Sequence, residues 1–395
     1  MSSGRVPTST HRLLVGLSRL VPGAEDLARA HGLIPDPVDW NELVRRAALE
    51  GVSPLLYRNL KAFGASVPAE VLASLRTTYY ANEVRNFRLF RRIVPLIGAA
   101  DAAGLRAVVT KGARLALTVY PDIGLRPFTD IDLAVHPKDW PGLEKVLAGL
   151  GYVSESQGRT RLDPANRALD WTFTPYFRLG ELLVELHFAY LGLHVPFRSE
   201  EDFWASVGRV RIDGADALIM SPEYELCYLC LHAQQHSYAR LIWLTDIAEL
   251  GSRADIDPDK AARIARREGI GAVVRHGFEL VNALWPGTIP KQVVSKFRMG
   301  PLESVLQSAF WPPDRVCRLA GRVLMPYYTP TFFSLLSRRK PLLAARTLLR
   351  ILFPPMDWIA DSYNVVPWSP KAWFQYARRL GAPITRLLEK NADKA

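Results

Sequence analysis

Residues 111–137 read KGARLALTVYPDIGLRPFTDIDLAVHP, and this stretch decides how the rest of the chain is read. Lys111-Gly112 closes the β-branched run LRAVVTKG and opens ARLALTVY, whose composition favours a helix. PDIGLRP is a loop by its Pro and Gly. TDIDLAV alternates polar and apolar residues, the period of a strand. Residues two apart in a strand share a face, so Asp130 and Asp132 project side by side about 7 Å apart while Ile131 and Leu133 point into a core. Neighbouring carboxylates repel each other and resist desolvation. A divalent cation between them offsets both costs, and Mg2+ is commonly held by one or two carboxylates together with substrate phosphates.

A third acid lies further on. In LLVELHF, Glu185 sits between Val184 and Leu186, again a carboxylate on an apolar strand. Beside the first strand it completes a three-acid cluster, suited to two cations that clamp the attacking and leaving oxygens of a phosphoryl or nucleotidyl transfer. Upstream, the Lys111-Gly112 turn is a phosphate cradle. Gly112 admits close backbone approach, the helix start offers free N–H groups, and Lys111, Arg114 and Arg126 add positive charge. His187, two residues after Glu185, faces the same side and is either a base, a ligand-orienting group or a satisfied buried histidine.

Working outward, residues 38–60 have helical spacing broken at Gly51, a helical hairpin. Pro68 opens a long helix through Leu96 whose surface is rich in Arg and Asn, among them Arg85, Asn86, Arg88, Arg91 and Arg92. From Leu105 to about Met220 the pattern is mixed, with strands also predicted in ELLVELHFAY and GRVRIDG and a helix in KDWPGLEKVLAGLG ending at Gly151. After Pro222 it is helical throughout, and from Pro301 helices are punctuated by prolines. The expected fold class is α+β, a mixed sheet core with N-terminal and C-terminal helical subdomains. The expected organisation is a helical region over 1–100, an α/β core over 101–220, a helical subdomain over 221–300 and a basic region over 301–395.

The 395 residues are 49% hydrophobic and 23% charged, ordinary for a globular chain. Net charge is +11, and it is concentrated late: from Phe310 onward there are 14 Lys and Arg against 5 Asp and Glu. Basic segments attract phosphate, nucleic acid or anionic lipid, so the C-terminal region could dock on RNA or an anionic membrane surface, or simply be a solvated helical face. Residues 338–355 (RRKPLLAARTLLRILFPP) are the amphipathic candidate. No stable protein partner is inferable. Three cysteines, Cys227, Cys230 and Cys317, make no disulfide framework, which favours a reducing compartment. With no signal peptide pattern and no apolar run of about 18 residues, the expected location is cytoplasmic.

The ordered set Lys111-Gly112, Tyr120-Pro121 with Arg126, Asp130-Ile131-Asp132 and Glu185-Leu186-His187 resembles the nucleotidyltransferase superfamily that includes DNA polymerase β and the aminoglycoside nucleotidyltransferases. More closely, it resembles the bacterial uncharacterised nucleotidyltransferase family, sometimes found beside exopolysaccharide biosynthesis genes. The likeness covers about residues 38–285 and includes LCLHAQQHSYARLIWLTDIAEL, a helical segment with two histidines and a late aspartate. Where the wider superfamily has Gly-Ser or Gly-Gly at the turn, this chain has Gly112-Ala113.

The resemblance implies a metal-dependent transfer of NMP from an NTP to an unknown hydroxyl acceptor with release of pyrophosphate. Two Mg2+ or Mn2+ ions would sit on Asp130, Asp132 and Glu185. The nucleotide would contact Lys111, Gly112, Ala113, Arg114, Arg126, His187, His232 and His236. His232 and His236, four apart with Asp246 following, also have a spacing that can bind zinc, but no Glu occupies position 233 as a general base. Cys227 and Cys230 lie in an apolar helical run and read as core. The alternative reading is a catalytically silent scaffold that binds nucleotide or an anionic surface.

Overall fold

The computed structural model describes residues 8–33, 38–136, 138–155, 176–187 and 200–313, with short pieces between 345 and 378. The chain forms two compact units, Met1–Leu324 and Met325–Ala395. In the first, helices α1 (Thr8–Gly16), α2 (Ala24–Leu33), α3 (Trp40–Glu50) and α4 (Ser53–Leu60) lead into the long α5 (Ala69–Ala102). The predicted hairpin breaks where expected: Gly51 takes φ 73° and donates its N–H back to the carbonyls of α3. Helix α5 runs past Leu96, with Pro95 inside it, and its Asn86 is buried rather than on the surface. The reason is specific. Asn82 donates to the Gly124 carbonyl at 2.7 Å, and Asn86 to those of Ile123 and Arg126 at 2.6 and 2.9 Å. Two helix asparagines one turn apart thus satisfy the backbone of the loop that enters the acidic strand.

The mixed segment folds as β1 (Ala107–Thr110), α6 (Lys111–Thr118), β2 (Asp130–Val135), α7 (Trp140–Gly149), β3 (Val153–Ser154), β4 (Tyr176–Leu179), β5 (Leu182–His187), α8 (Glu200–Ser206), β6 (Gly208–Ile212) and β7 (Ala215–Ile219). The seven strands form one mixed sheet in the order β3-β4-β5-β2-β1-β7-β6. β1 runs antiparallel to β2 and parallel to β7, and β2 runs parallel to β5. The Asp213-Gly214 dipeptide, at φ 44° and 88°, makes the tight β6–β7 hairpin. In β2 and β5 the apolar residues that alternate with the acids face the core, as predicted. Ile131, Leu133 and Val135 of β2 and Leu182, Val184 and Leu186 of β5 join the core against Phe90, Ile93 and Leu96 of α5 and Leu143 and Leu147 of α7.

The helical remainder is α9 (Pro222–Gln235), α10 (Leu241–Gly251), α11 (Pro258–Glu268), α12 (Gly271–Leu284), α13 (Lys291–Val294) and α14 (Pro301–Phe310). Cys227 and Cys230 are free and buried in α9, packed as core. No helix among the described residues is long and apolar enough to cross a membrane. In the second unit, the helix Met356–Tyr363 packs Met356 and Ile359 with Ala372. Cys317 and most of residues 338–355 lie outside the described residues.

Candidate active site

β2 and β5 lie side by side in parallel with Asp132 opposite Glu185 and Ala134 opposite His187. This register brings the two acids together across the strand pair. Ligand atoms of Asp132, Glu185 and His187 all lie within 4.8 Å of one another. His187 Nε2 is 2.6 Å from Asp132 Oδ1 and 3.6 Å from Glu185 Oε2. Asp130 lines the same cavity one pleat away, with Thr129 as a hydrogen-bond partner at 3.5 Å, and is not among the three converging groups. The expected three-acid cluster is therefore two acids and an imidazole, with Asp130 at its rim.

Lys111 sits where β1 becomes α6. Its Nζ donates to Asp132 Oδ1 at 2.5 Å and lies 3.5 Å from His187 Nε2 and 5.9 Å from the centre of the Tyr228 ring. Its backbone has φ 53°, a left-handed conformation that costs a side-chain-bearing residue on the order of 1 kcal/mol. The fully buried Glu225 of α9 holds it there, accepting the Lys111 backbone N–H at 3.0 Å.

Gly112 owes its identity to packing. A Cβ at this position would meet Phe128 Cβ at 2.7 Å and Arg126 Nη1 at 3.3 Å. Ala113, next to it, is buried in the core.

Burial pulls these groups in different directions. It opposes the Lys111 charge, but Asp132 outweighs it and lifts the ammonium above its ordinary value. Burial also opposes ionisation of Asp132, yet Lys111 and His187 hold that carboxyl well below the usual range. Glu185 is raised, first by burial and then by the Asp132 charge, and Asp130 is raised for the same two reasons. His187 is lowered by burial and by Lys111. At neutral pH the site therefore pairs an ionised Asp132 with an ammonium, beside an acid held toward its protonated form.

A cavity of about 580 Å³ opens over these groups. Its lining includes Gly51 between α3 and α4, Pro54 of α4, Asn82 and Arg85 of α5, the Lys111–Asp132–Glu185 group, and His232, His236, Arg240 and Trp243. The His232 and His236 rings are 4.6 Å apart and each stands 5.2–5.3 Å from Trp243, forming an aromatic wall. Burial keeps both imidazoles neutral, His232 well below its ordinary value and His236 at about 4. The zinc reading of this pair is not assembled, because Asp246 is engaged elsewhere. It accepts from Arg126 Nε at 2.9 and 3.0 Å, from Arg126 Nη2 at 2.6 Å and from Tyr120 Oη at 2.7 Å.

That engagement also commits Arg126, which reaches the cavity edge but is tied to Asp246 as a buried strut. Arg114 turns inward, 4.0 Å from Glu225, and does not line the cavity. Thus Lys111, Gly112, Arg126, Asp130, Asp132, Glu185, His232 and His236 are brought to one cavity, His187 reaches the same cluster, and Ala113 and Arg114 stand behind it. Arg85, Arg240 and Trp243 were not singled out as site residues from the sequence. Arg85 read as helix surface, because the burial of its neighbours Asn82 and Asn86 depends on the loop carbonyls of Ile123, Gly124 and Arg126.

Sheet, turn and acid pair define a nucleotidyltransferase-like α+β protein. The chain belongs to the family described as uncharacterised nucleotidyltransferase, which matches residues 36–286, a span that holds every group named above. No curated protein and no solved structure matches the chain.

Proposed function

We propose that the protein transfers a nucleoside monophosphate from an NTP to a hydroxyl acceptor, releasing pyrophosphate. The observation that carries this reading is the facing of Asp132 and Glu185 across parallel strands, with Lys111 between a strand end and a helix start, on the floor of one cavity. The donor set fits a divalent cation. Two carboxylates and an imidazole converge, and the Lys111 ammonium against Asp132 shows that the site takes positive charge. Asp132, Glu185 and His187 would hold Mg2+ or Mn2+, with Asp130 adding a carboxylate at the rim; imidazole in the set favours Mn2+ more than an all-oxygen site does. The cation, when bound, neutralises phosphate charge and activates the acceptor oxygen.

The chain's own groups do the rest. Lys111 turns from Asp132 to the triphosphate and offsets charge as it develops on the leaving pyrophosphate. The neutral His232, His236 and Trp243 rings offer a stacking wall for the nucleobase, and Arg240 and Arg85 add charge at the cavity edge. Attack of the acceptor oxygen forms the new bond to the α-phosphorus, and pyrophosphate leaves with the electrons of the broken P–O bond. The acceptor's proton passes to solvent, while Glu185 stays with the cation it would hold. NTP as donor is consistent with a cytoplasmic location.

One observation favours the silent nucleotide-binding reading instead: the Lys111 ammonium pairs with Asp132 at 2.5 Å and neutralises that carboxylate itself. The same experiment separates the two. Pyrophosphate release and NTP binding are measured with Mg2+ and Mn2+, each of the four NTPs and cell extract as acceptor pool, for wild type and Asp132→Asn. Metal-dependent release by wild type alone is expected. NTP binding without release in any combination favours the silent reading and leaves the acceptor open, and absence of both removes nucleotide chemistry altogether.

A further inference from the structure

Helix α5 has a second cavity on its outer side. It measures about 670 Å³ and is lined by Arg76, Tyr80, Val84, Arg88 and Glu181, together with Ala81 and Arg85. Ala81 and Arg85 also line the active cavity, so the two adjoin along one helix face. Arg76, Tyr80, Val84 and Arg88 recur every four residues, a stripe roughly 18 Å long. Tyr80 is 52% exposed, Val84 48% and the nearby Phe87 51%. Two aromatic rings half open to water on a rigid helix, each within a turn of an arginine, are unusual for a surface with no partner. A second observation points to a ligand at the junction. Arg85 Nε is buried and has no hydrogen-bond acceptor among the described residues, although its Nη2 is fixed to Asn82 Oδ1 at 2.8 Å.

From this juxtaposition we infer that the outer face of α5 binds a single-stranded nucleic acid, whose 3′ end passes Arg85 and presents its terminal hydroxyl in the active cavity as the acceptor. The charge is complementary: among the described residues that line this groove, Arg76, Arg85 and Arg88 stand against a single acid, Glu181. Along the stripe, Tyr80 and Val84 lie between Arg76 and Arg88, which sets a ring and an apolar side chain between two cations. Stacking on exposed aromatics with phosphates on flanking arginines is the sequence-tolerant mode of single-strand binding. A lipid surface suits the face less well, because an arginine interrupts its apolar area within each turn or two and the groove adjoins the active cavity at Ala81 and Arg85. The acceptor role rests on the nucleotidyl-transfer reading; the binding itself does not.

The test measures fluorescence anisotropy of an end-labelled single-stranded RNA oligonucleotide against the full chain, with NTP binding followed on the same samples. Wild type is compared with Tyr80→Ala, Arg88→Ala, and Arg263→Ala, which removes one exposed arginine from the remote helix α11. Tyr80→Ala and Arg88→Ala should each weaken RNA binding at least about fivefold. Arg88→Ala should also lower the slope of log affinity against log salt by about 0.7. Arg263→Ala should leave affinity near wild type, and all three should keep NTP binding, which shows that they fold. If wild type binds NTP but not RNA, or if Tyr80→Ala and Arg88→Ala bind RNA as well as Arg263→Ala does, the inference is wrong. Capture of wild type by phosphatidylglycerol vesicles but not by RNA, lost in Arg88→Ala, would assign the face to a membrane surface and overturn it. RNA binding that depends on Tyr80 with no NTP binding would uphold the groove and sink the transferase reading instead.

Discussion

Replacing Arg126 with Met asks whether this residue is a phosphate ligand or a strut. In the structure its guanidinium makes three contacts with the fully buried Asp246 at 2.6–3.0 Å, through an Nε–H shared between both oxygens and an Nη2–H, and Tyr120 supplies a third donor at 2.7 Å. Arg126→Met leaves that carboxylate buried with Tyr120 as its partner. Removing one side of a buried ion pair costs about 3–5 kcal/mol, because the surviving charge has lost both water and its counter-ion. Replacing both partners by apolar groups of similar volume is often close to neutral, so Arg126→Met/Asp246→Leu should recover most of the loss. The orphaned Tyr120 hydroxyl should keep about 1–3 kcal/mol of it. The assay is a double-mutant cycle on urea unfolding free energies. If Arg126→Met costs less than about 1 kcal/mol, or the double variant is no more stable than the single, then Asp246 does not depend on Arg126. The guanidinium would then be free to turn to a nucleotide, and the reasoning fails.

Three further outcomes follow from the same geometry. Gly112→Ala should destabilise the protein by about 1–3 kcal/mol in urea unfolding, since its methyl would sit 2.7 Å from Phe128 Cβ and one of the two must move. A wild-type midpoint would show that the turn has slack. Lys111→Ala should bind Mn2+ more tightly than wild type when no nucleotide is present, because the ammonium now 2.5 Å from Asp132 competes for that carboxylate; titration followed by Mn2+ paramagnetic resonance reads it, and equal or weaker affinity contradicts the competition. Glu225 is raised by burial to about 7 from an ordinary 4.5, so the folded protein holds a proton that the unfolded chain releases between those values. Its contribution is complete below about pH 4.5 and is lost as pH rises through about 7, at up to about 1.4 kcal/mol per unit. Glu225→Gln keeps an acceptor for the Lys111 N–H and should flatten that decline, as unfolding midpoints across this range will show; an unchanged slope would mean Glu225 is ionised in the fold.

Much of the site was legible because it is local. Asp130 and Asp132 alternate with Ile131 and Leu133, and a period of two puts acids on one face and aliphatics on the other whatever the sheet around them. Glu185 between Val184 and Leu186 carries the same signal, and Lys111-Gly112 marks a strand-to-helix turn through its neighbours alone. The α+β class follows from where helical spacing gives way to alternation near Gly104 and returns after Pro222. What the sequence by itself determined, then, is which residues share a face within one element.

Tertiary structure decided which faces meet. That Asp132 stands opposite Glu185 depends on β5 pairing in parallel with β2 at one register, and a slip of one residue would have set Leu186 there instead. His187 came into ligand range through that same register. Asn86 read as surface until the loop carbonyls of Ile123 and Arg126 were seen to need it. Arg126 read as a phosphate contact until Asp246, 120 residues later, claimed its guanidinium. Glu225 holds the strained Lys111 backbone from 114 residues away, and nothing near either residue announces it. Short-range periodicity is set by backbone geometry, which every residue carries. A buried polar side chain is set by the one partner that can satisfy it, and that partner is found only when the chain closes on itself.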